Sequence, residues 1–283
     1  MSVLVLGASG MLGNAMLRVL SQQHHWTVYG TLRSPNLALQ ELAPRAQLLH
    51  GIHADQPDSL IAAFTQSRPQ VVINCVGLVK QLARADDPLE AIPINGILPQ
   101  RLAKLCELAQ ARLVHISTDC VFSGKQGNYR ESDVPDAQDL YGRSKLIGEV
   151  SYRHSITLRT SIIGHELGRD HGLVGWFLSQ QGRVKGFTQA IFSGLPTCEL
   201  ARVVRDFVIP NSDLHGLYHV AAGPISKHDL LHIINREYDK NLQIEPDDKV
   251  KINRSLDSSR FREATGYVAP AWPDLIAQMR EFL

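Results

Sequence analysis

The sequence predicts an α/β fold, a doubly wound parallel sheet followed by a smaller mixed α/β region. Three observations carry this. Val3-Leu4-Val5-Leu6 runs straight into a glycine-rich turn, Gly7-Ala8-Ser9-Gly10-Met11-Leu12-Gly13, and then into a helical pattern. Further short runs of Val, Ile and Leu alternate with amphipathic stretches up to about residue 159. Strands that apolar are buried on both faces, which requires helices above and below a parallel sheet. After Thr160 the rhythm loosens into loops with Gly164, Gly168 and Gly172, and then into short helices.

The elements follow in order. Residues 3–6 read as the first strand. Residues 11–21 read as a helix, with Met11, Leu12, Ala15, Met16 and Val19 on one side. Residues 27–31 make the second strand and 47–50 a weaker third; 58–66 are helical. The run Val71-Val72-Ile73-Asn74-Cys75-Val76 is the fourth strand. A helical region extends to about Ala109, residues 113–117 form the fifth strand, 139–153 a helix and 156–159 a sixth strand. Helices are expected at 176–181, 201–209, 228–236, 258–263 and 273–282. A late strand near 216–221 is expected to return to the main sheet. This divides the chain into a Rossmann-like nucleotide-binding domain over residues 1–159 and a substrate-binding region over 160–283. No linker stands between them, so the two are expected to pack tightly.

Composition narrows the function. The chain has 283 residues, 44% hydrophobic and 20% charged, with a net charge of +1. Nothing in that balance is a footprint for nucleic acid or an anionic membrane. The apolar N-terminus is interrupted by Gly7 and Gly10 and has no basic segment before it, so it reads as a buried strand and not as a signal peptide. No apolar run approaches the roughly 20 residues of a membrane span. Cys75, Cys106, Cys120 and Cys198 form no Cys-x-x-Cys pair, which suits reduced thiols in a cytoplasmic protein.

The glycine turn has the spacing G-x-x-G-x-x-G. Its physical needs are a tight turn out of the strand, close backbone approach to a pyrophosphate, and close helix–strand packing. The helix N-terminus then faces the anion. Gly7, Ser9, Gly10, Met11 and Leu12 are therefore expected to cradle a dinucleotide. An acid at the end of the second strand would bind the 2′-hydroxyl of NAD. This chain has Gly30-Thr31-Leu32-Arg33-Ser34 there, and Arg33 suits a 2′-phosphate. The expected cofactor is NADPH, with NADH the alternative. Asp55, after the third strand, suits the adenine amino group. Val76 and Gly77 end the fourth strand, where small residues let the cofactor pass.

Tyr141-Gly142-Arg143-Ser144-Lys145 carries the chemistry. A Tyr and a Lys four apart on a helix share one face. The ammonium favours the phenolate, so the Tyr can exchange a proton near neutral pH. Thr118 ends the neighbouring strand in Ser117-Thr118-Asp119, where its hydroxyl can bind a developing oxyanion.

These residues resemble the extended short-chain dehydrogenase/reductase family, in its dTDP-4-dehydrorhamnose reductase branch. The likeness runs through Gly7 to Gly13, Asn74 to Gly77, Asn95, Ser117-Thr118-Asp119-x-Val121-Phe122 and Tyr141 to Lys145. It continues in Leu158-Arg159-Thr160, Leu195-Pro196-Thr197 and Asn253-Arg254-Ser255-Leu256-Asp257. The resemblance implies a catalytic Thr118, Tyr141 and Lys145, and Asn95 at the cofactor. It also implies reduction of a 4-keto-6-deoxyhexose held on a nucleoside diphosphate, and it is compatible with a homodimer. Two departures fall where the sugar should lie. Cys120 stands where the family often has Tyr, and the segment Gly77-Leu78-Val79-Lys80-Gln81 differs from the usual loop. Lys80, Asp119 and Cys120 are thus expected to face the substrate, with Thr197 and with Arg254 at the diphosphate. Arg254 has an alternative partner in Asp257, three residues on. Related dehydratases carry Thr-Asp-Glu, and Cys120 in the Glu position argues against that reaction.

A non-catalytic reading stays open, an NADP-binding regulatory subunit resembling that of methionine adenosyltransferase. Two further patterns carry less. His228-Asp229-Leu230-Leu231-His232 puts two His on one helix face, but no third ligand suggests itself and no metal site is expected. Trp176 and Phe177 suit either a sugar or base pocket or the core.

Overall fold

The computed structural model describes residues 1–78, 86–168 and 172–283. The first half alternates as the apolar pattern requires: β1 (Ser2–Leu6), α1 (Met11–Leu20), β2 (Thr27–Thr31), α2 (Leu37–Leu42), β3 (Gln47–Leu49), α3 (Pro57–Ser67) and β4 (Val71–Asn74). Then come α4 (Pro88–Ala91), a π-helical turn (Ile92–Ile97), α5 (Leu98–Leu108), β5 (Arg112–Thr118), α6 (Leu140–Ile147) and β6 (Ser155–Thr160). The second half holds β7 (Ile162–Ile163), α7 (Leu173–Ser179), β8 (Arg183–Phe187), β9 (Ala190–Phe192), β10 (Leu195–Pro196), α8 (Thr197–Val203) and β11 (Gly216–His219). It closes with β12 (Ile225–Ser226), α9 (Lys227–Glu237), β13 (Gln243–Asp247), β14 (Ile252–Asn253), α10 (Ser259–Thr265) and α11 (Trp272–Glu281).

Seven parallel strands form the main sheet in the order β11-β6-β5-β4-β1-β2-β3. The order reverses between β1 and β4, and ligands of open α/β sheets bind in the crevice beyond the strand ends at such a point. The strand expected near 216–221 lies beside β6, with Gly216 opposite Ile156 and His219 opposite Arg159.

Alternation along the strands sorts two cores. Val3 and Val5 point to one face with Ala15, Met16 and Leu17, while Leu4 and Leu6 point to the other with Leu60, Leu102 and Leu113. The first core also contains Val203 and Val204 from the second half, and Leu275, Ile276 and Met279 of α11. One continuous core therefore joins residues on both sides of position 160. It also explains α1, which is buried on its outer side as well because α8 packs across it. At the end of α1, Arg18 lies 3.8 Å above the Phe282 ring and donates to its carbonyl at 2.7 Å.

Three expectations need correction. The helix expected at 139–153 covers only Leu140–Ile147. It stops at Gly148, where a Cβ would stand 2.0 Å from the Asn95 carbonyl oxygen, and the chain then turns Glu149 toward β5. The helix expected from 201 begins at Thr197, directly after β10, and passes into a π-helical turn at Val204–Val208. The short helix expected from 176 begins at Leu173. The small sheets of the second half and α2 were not anticipated. Strands of two or three residues are too short to show an alternation. Among the described residues no helix is long and apolar enough to cross a membrane.

Candidate active site

The glycine turn is built by close approach. Gly7 has φ +78°, which a side chain rarely tolerates, and its carbonyl accepts the Gly10 N–H at 3.0 Å. A Cβ on Gly13 would stand 2.1 Å from that carbonyl oxygen, so only glycine lets α1 start so near β1. Thr31 ties the turn to the end of β2, its hydroxyl accepting from Gly7 N–H and its carbonyl from Ala8 N–H, both at 3.1 Å. Ser9 and Gly10 are exposed at the mouth of α1, Met11 is half-buried and Leu12 is buried in the core. The narrow backbone cradle fits a pyrophosphate at the α1 N-terminus.

The remaining predicted cofactor residues follow the strand ends. Arg33 is exposed two positions beyond Thr31, and Asp55 is exposed in the turn after β3. Val76 lies against the glycine turn, its Cγ2 at 3.0 Å from the position a Gly7 Cβ would take. Gly77 is exposed, and its Cβ position is 3.4 Å from Asn95 Oδ1 and 4.0 Å from Lys145 Nζ.

Asn95 sits in the π-helical turn and is buried. Its Oδ1 accepts the Leu78 N–H at 2.9 Å, and its Nδ2 donates to the Leu78 carbonyl and to Ser144 Oγ, both at 3.2 Å. All three bonds are spent on protein, so Asn95 clamps the loop after β4 to α6.

Thr118 closes β5, and Tyr141 stands in the first turn of α6, whose start is capped by Asp139 accepting the Gly142 N–H at 2.7 Å. The Thr118 hydroxyl donates to Asp119 Oδ1 and accepts the Cys120 N–H, both at 3.1 Å, and it lies near enough to the Tyr141 phenol to favour its ionised form. Lys145 is buried one turn further on and donates from Nζ to the Ile116 carbonyl at 2.8 Å. Burial lowers its pKa to about 8, opposed by the charge of Glu149 and then by Cys75. Tyr141 departs from the sequence-based expectation of a lowered pKa. Burial raises it, helped by the neighbouring Cys120, Asp119 and Asp139, and the nearby Thr118 hydroxyl opposes the rise. An enclosed phenol is costly to ionise, and Lys145 directs its proton to a backbone carbonyl.

The substrate side is partly assembled. Asp119 is buried, which raises its pKa against the lowering influence of Arg254 and the Thr118 hydrogen bond. Cys120 is half-buried and accepts from Arg254 Nη1 at 3.6 Å. Arg254 does not pair with Asp257, which instead meets Arg130 at 3.3 Å. Thr197 is buried at the start of α8, where its Oγ1 would lie 2.5 Å from a Cβ on Gly164. It packs against that glycine. Lys80 lies outside the described residues. Phe177 is fully buried core, whereas Trp176 is 39% exposed. His228 and His232 bring their Nε2 atoms within 3.3 Å on an exposed helix face, and no set of three or more ligating residues that could hold a metal occurs among the described residues.

Three residues escaped the sequence reading. Lys227, at the start of α9, contributes positive charge at Asp119. Ser117 and Glu149 join beside Lys145, with Ser117 Oγ donating to Glu149 Oε1 at 2.7 Å. Glu149 follows Lys145 by four positions, a spacing that would put both on one helix face, but α6 ends before it.

Residues 1–279 match the family model described as the RmlD substrate binding domain. The chain belongs to this family. The RmlD family is of the extended short-chain dehydrogenase/reductase type, in keeping with the seven-stranded parallel sheet. Over 181 residues the chain is 32% identical to the "Probable low-salt glycan biosynthesis reductase Agl14" of Haloferax volcanii, covering 62% of this chain and 58% of that protein. Over 150 residues it is 34% identical to methionine adenosyltransferase 2 subunit beta of Pongo abelii, covering 52% of this chain and 41% of the other. The chain thus spans about half the length of these curated relatives. The crystal structure of a hypothetical dTDP-4-dehydrorhamnose reductase from Sulfolobus tokodaii superposes with a TM-score of 0.78 at 26% identity, covering 96% of this chain and 98% of the other. The RmlD-family fold therefore extends across both halves of the molecule.

Proposed function

We propose that the chain is an NADPH-dependent reductase of a 4-keto-6-deoxy sugar carried on a nucleoside diphosphate. One observation carries the reading: the Thr118 hydroxyl at the end of β5 lies beside the Tyr141 phenol, with Lys145 one helical turn away and Gly77 against it. This supports a proton donor and an oxyanion donor side by side, next to the glycine turn.

A reduced nicotinamide bound at the glycine turn would supply the hydride. Thr118 holds the keto oxygen by a hydrogen bond that strengthens as negative charge develops there. Tyr141 gives its phenolic proton to that oxygen, so the C=O becomes CH–OH. The raised pKa of Tyr141 suits this direction, because the group stays protonated until the alkoxide forms. Lys145 then stabilises the phenolate by its charge until a proton from solvent restores the phenol. Arg33 would select the 2′-phosphate. Arg254, with Lys227, supplies positive charge on the side where the diphosphate would lie.

The likeness to methionine adenosyltransferase 2 subunit beta supports a second reading, a regulatory subunit that binds the cofactor without turnover. NADPH oxidation against a panel of 4-keto nucleotide sugars separates the two. Turnover that depends on Tyr141 supports the reductase. NADPH binding with no oxidation by any member of the panel supports the regulatory subunit.

A further inference from the structure

Behind the site lies a buried ion pair that neither the acid nor the cofactor cradle requires. Glu149 leaves α6 one turn after Lys145, and its carboxylate is fully engaged. Oε1 accepts from Ser117 Oγ and from Arg159 Nε, and Oε2 accepts from Arg159 Nη2, each at 2.7 Å. Arg159 is 3% exposed. Its guanidinium lies 5.1 Å from the centre of the Phe122 ring, and Nη1 reaches His219 Nε2 at 3.4 Å. The carboxylate thus ties three segments: the end of α6 with Lys145, β5 through the residue before Thr118, and β6.

The charge has a second consequence. The titratable groups that act on Lys145 are Glu149 just past the end of α6, where it is held by Arg159, Cys75 after β4 and His115 on β5, while Tyr141 lies one turn back on α6. Burial pushes the Cys75 thiol up to about 12 and His115 well below its ordinary value, so both are neutral near pH 7. Tyr141 is protonated as well. Among these groups Glu149 is the carboxylate that favours the ammonium.

We infer that Glu149 is a positioning residue. Its carboxylate fixes the end of α6, and with it Lys145, to the Thr118 strand through Ser117 and to β6 through Arg159. This rests on the reductase reading for its effect on turnover, but the effect on Lys145 is independent of turnover.

A purely structural ion pair would also lower stability when broken, so stability cannot be the readout. The experiment follows the protonation of Lys145 directly, by NMR titration of the protein carrying carbon-13-labelled lysine, with the signal assigned through Lys145→Arg. In Glu149→Gln, which keeps the shape and an acceptor for Ser117, Lys145 is expected to titrate about 1 pH unit lower than in the unmodified protein. Arg159 is left buried without its partner in that variant, so Glu149→Gln combined with Arg159→Met is measured in parallel. It removes both charges and should show the same downward direction. Ser117→Ala keeps the charge and should leave the Lys145 titration in place. If the keto-sugar reduction is observed, Ser117→Ala should lower kcat with little change in NADPH affinity, and Glu149→Gln should move the alkaline limb of kcat/KM to lower pH. A Lys145 titration unmoved in both Glu149 variants overturns the inference whatever the turnover. A moved titration in a protein that reduces no keto sugar leaves the inference standing and overturns the reductase reading.

Discussion

Arg254 donates its Nε–H to the Phe122 carbonyl at 2.8 Å and so brings its guanidinium against the turn that follows Thr118. The bond spans the two halves of the chain, and Nη1 reaches Cys120 Sγ at 3.6 Å while the charge lowers the Asp119 pKa against its burial. Asp257, the nearby acid that would have made Arg254 an ordinary surface ion pair, is taken by Arg130. A charge-assisted bond from this guanidinium to a diphosphate is worth about 1.5–3 kcal/mol, roughly ten- to a hundredfold. Arg254→Ala should raise KM for the nucleotide sugar by that order and leave NADPH affinity unchanged. Steady-state kinetics with a fluorescence titration of NADPH measures both. An unchanged KM would remove Arg254 from the substrate.

Arg33 gives a separate prediction at the other end of the cofactor. It is exposed beyond Thr31, the residue whose hydroxyl and carbonyl hold the glycine turn. A 2′-phosphate bound there gains a charge-assisted bond that a 2′-hydroxyl cannot match. The protein should bind NADPH about ten- to a hundredfold more tightly than NADH. Arg33→Ala should abolish most of that ratio by weakening NADPH alone. Equal affinities in the unmodified protein would assign Arg33 to solvent.

Much of this site was legible because its signals are local. Gly7 to Gly13 lie within one turn and one helix start, and Tyr141 and Lys145 lie on one helix face. The strands announced themselves by unbroken apolar runs. What stayed hidden depends on distance along the chain. Asn95 is recognisable as a motif residue, yet its bonds to Leu78 and Ser144 appear only when the π-helical turn brings it between them. The early end of α6 has the same origin, since Gly148 must pass the Asn95 carbonyl. The acidity of Tyr141 was misjudged because a sequence shows the lysine four positions away but not the burial that outweighs it. The small strand pairs of the second half carry too few residues for any period.

Two buried histidines set a pH dependence of stability. His219 is fully buried on β11, with Nδ1 near the Tyr129 carbonyl at 3.0 Å, and burial and the Arg159 charge pull its pKa down to about 4. His115 is lowered in the same direction. Each is neutral in the fold but takes up a proton in the unfolded chain below about pH 6.5. The unfolded state therefore binds more protons, and stability rises with pH across this window. It is fully present above pH 6.5 and is lost as pH falls toward 4, at up to about 1.4 kcal/mol per pH unit for each histidine. Urea denaturation at intervals from pH 7 to pH 5 measures the slope. A flat profile in the unmodified protein would contradict the neutral buried state.

Tyr141→Phe tests the acid itself. The ring is half-buried at the start of α6, and the substitution removes only the hydroxyl that lies beside Thr118. The cap made by Asp139 on Gly142 and the Lys145 bond to Ile116 do not involve that hydroxyl, so the helix and the cofactor side stay in place. General acid catalysis contributes about 10²–10⁴-fold, and kcat should fall by that order while NADPH affinity stays near normal. The loss should appear in kcat and kcat/KM together, because proton donation is realised only in the transition state. Thr118→Ala should also lower kcat, but the double variant should lose less than the product of the two single losses, since the hydroxyls act as one unit. Nearly full turnover in Tyr141→Phe would show that the proton comes from another group, and Asp119, whose pKa burial raises beside the same hydroxyls, would be the next to test.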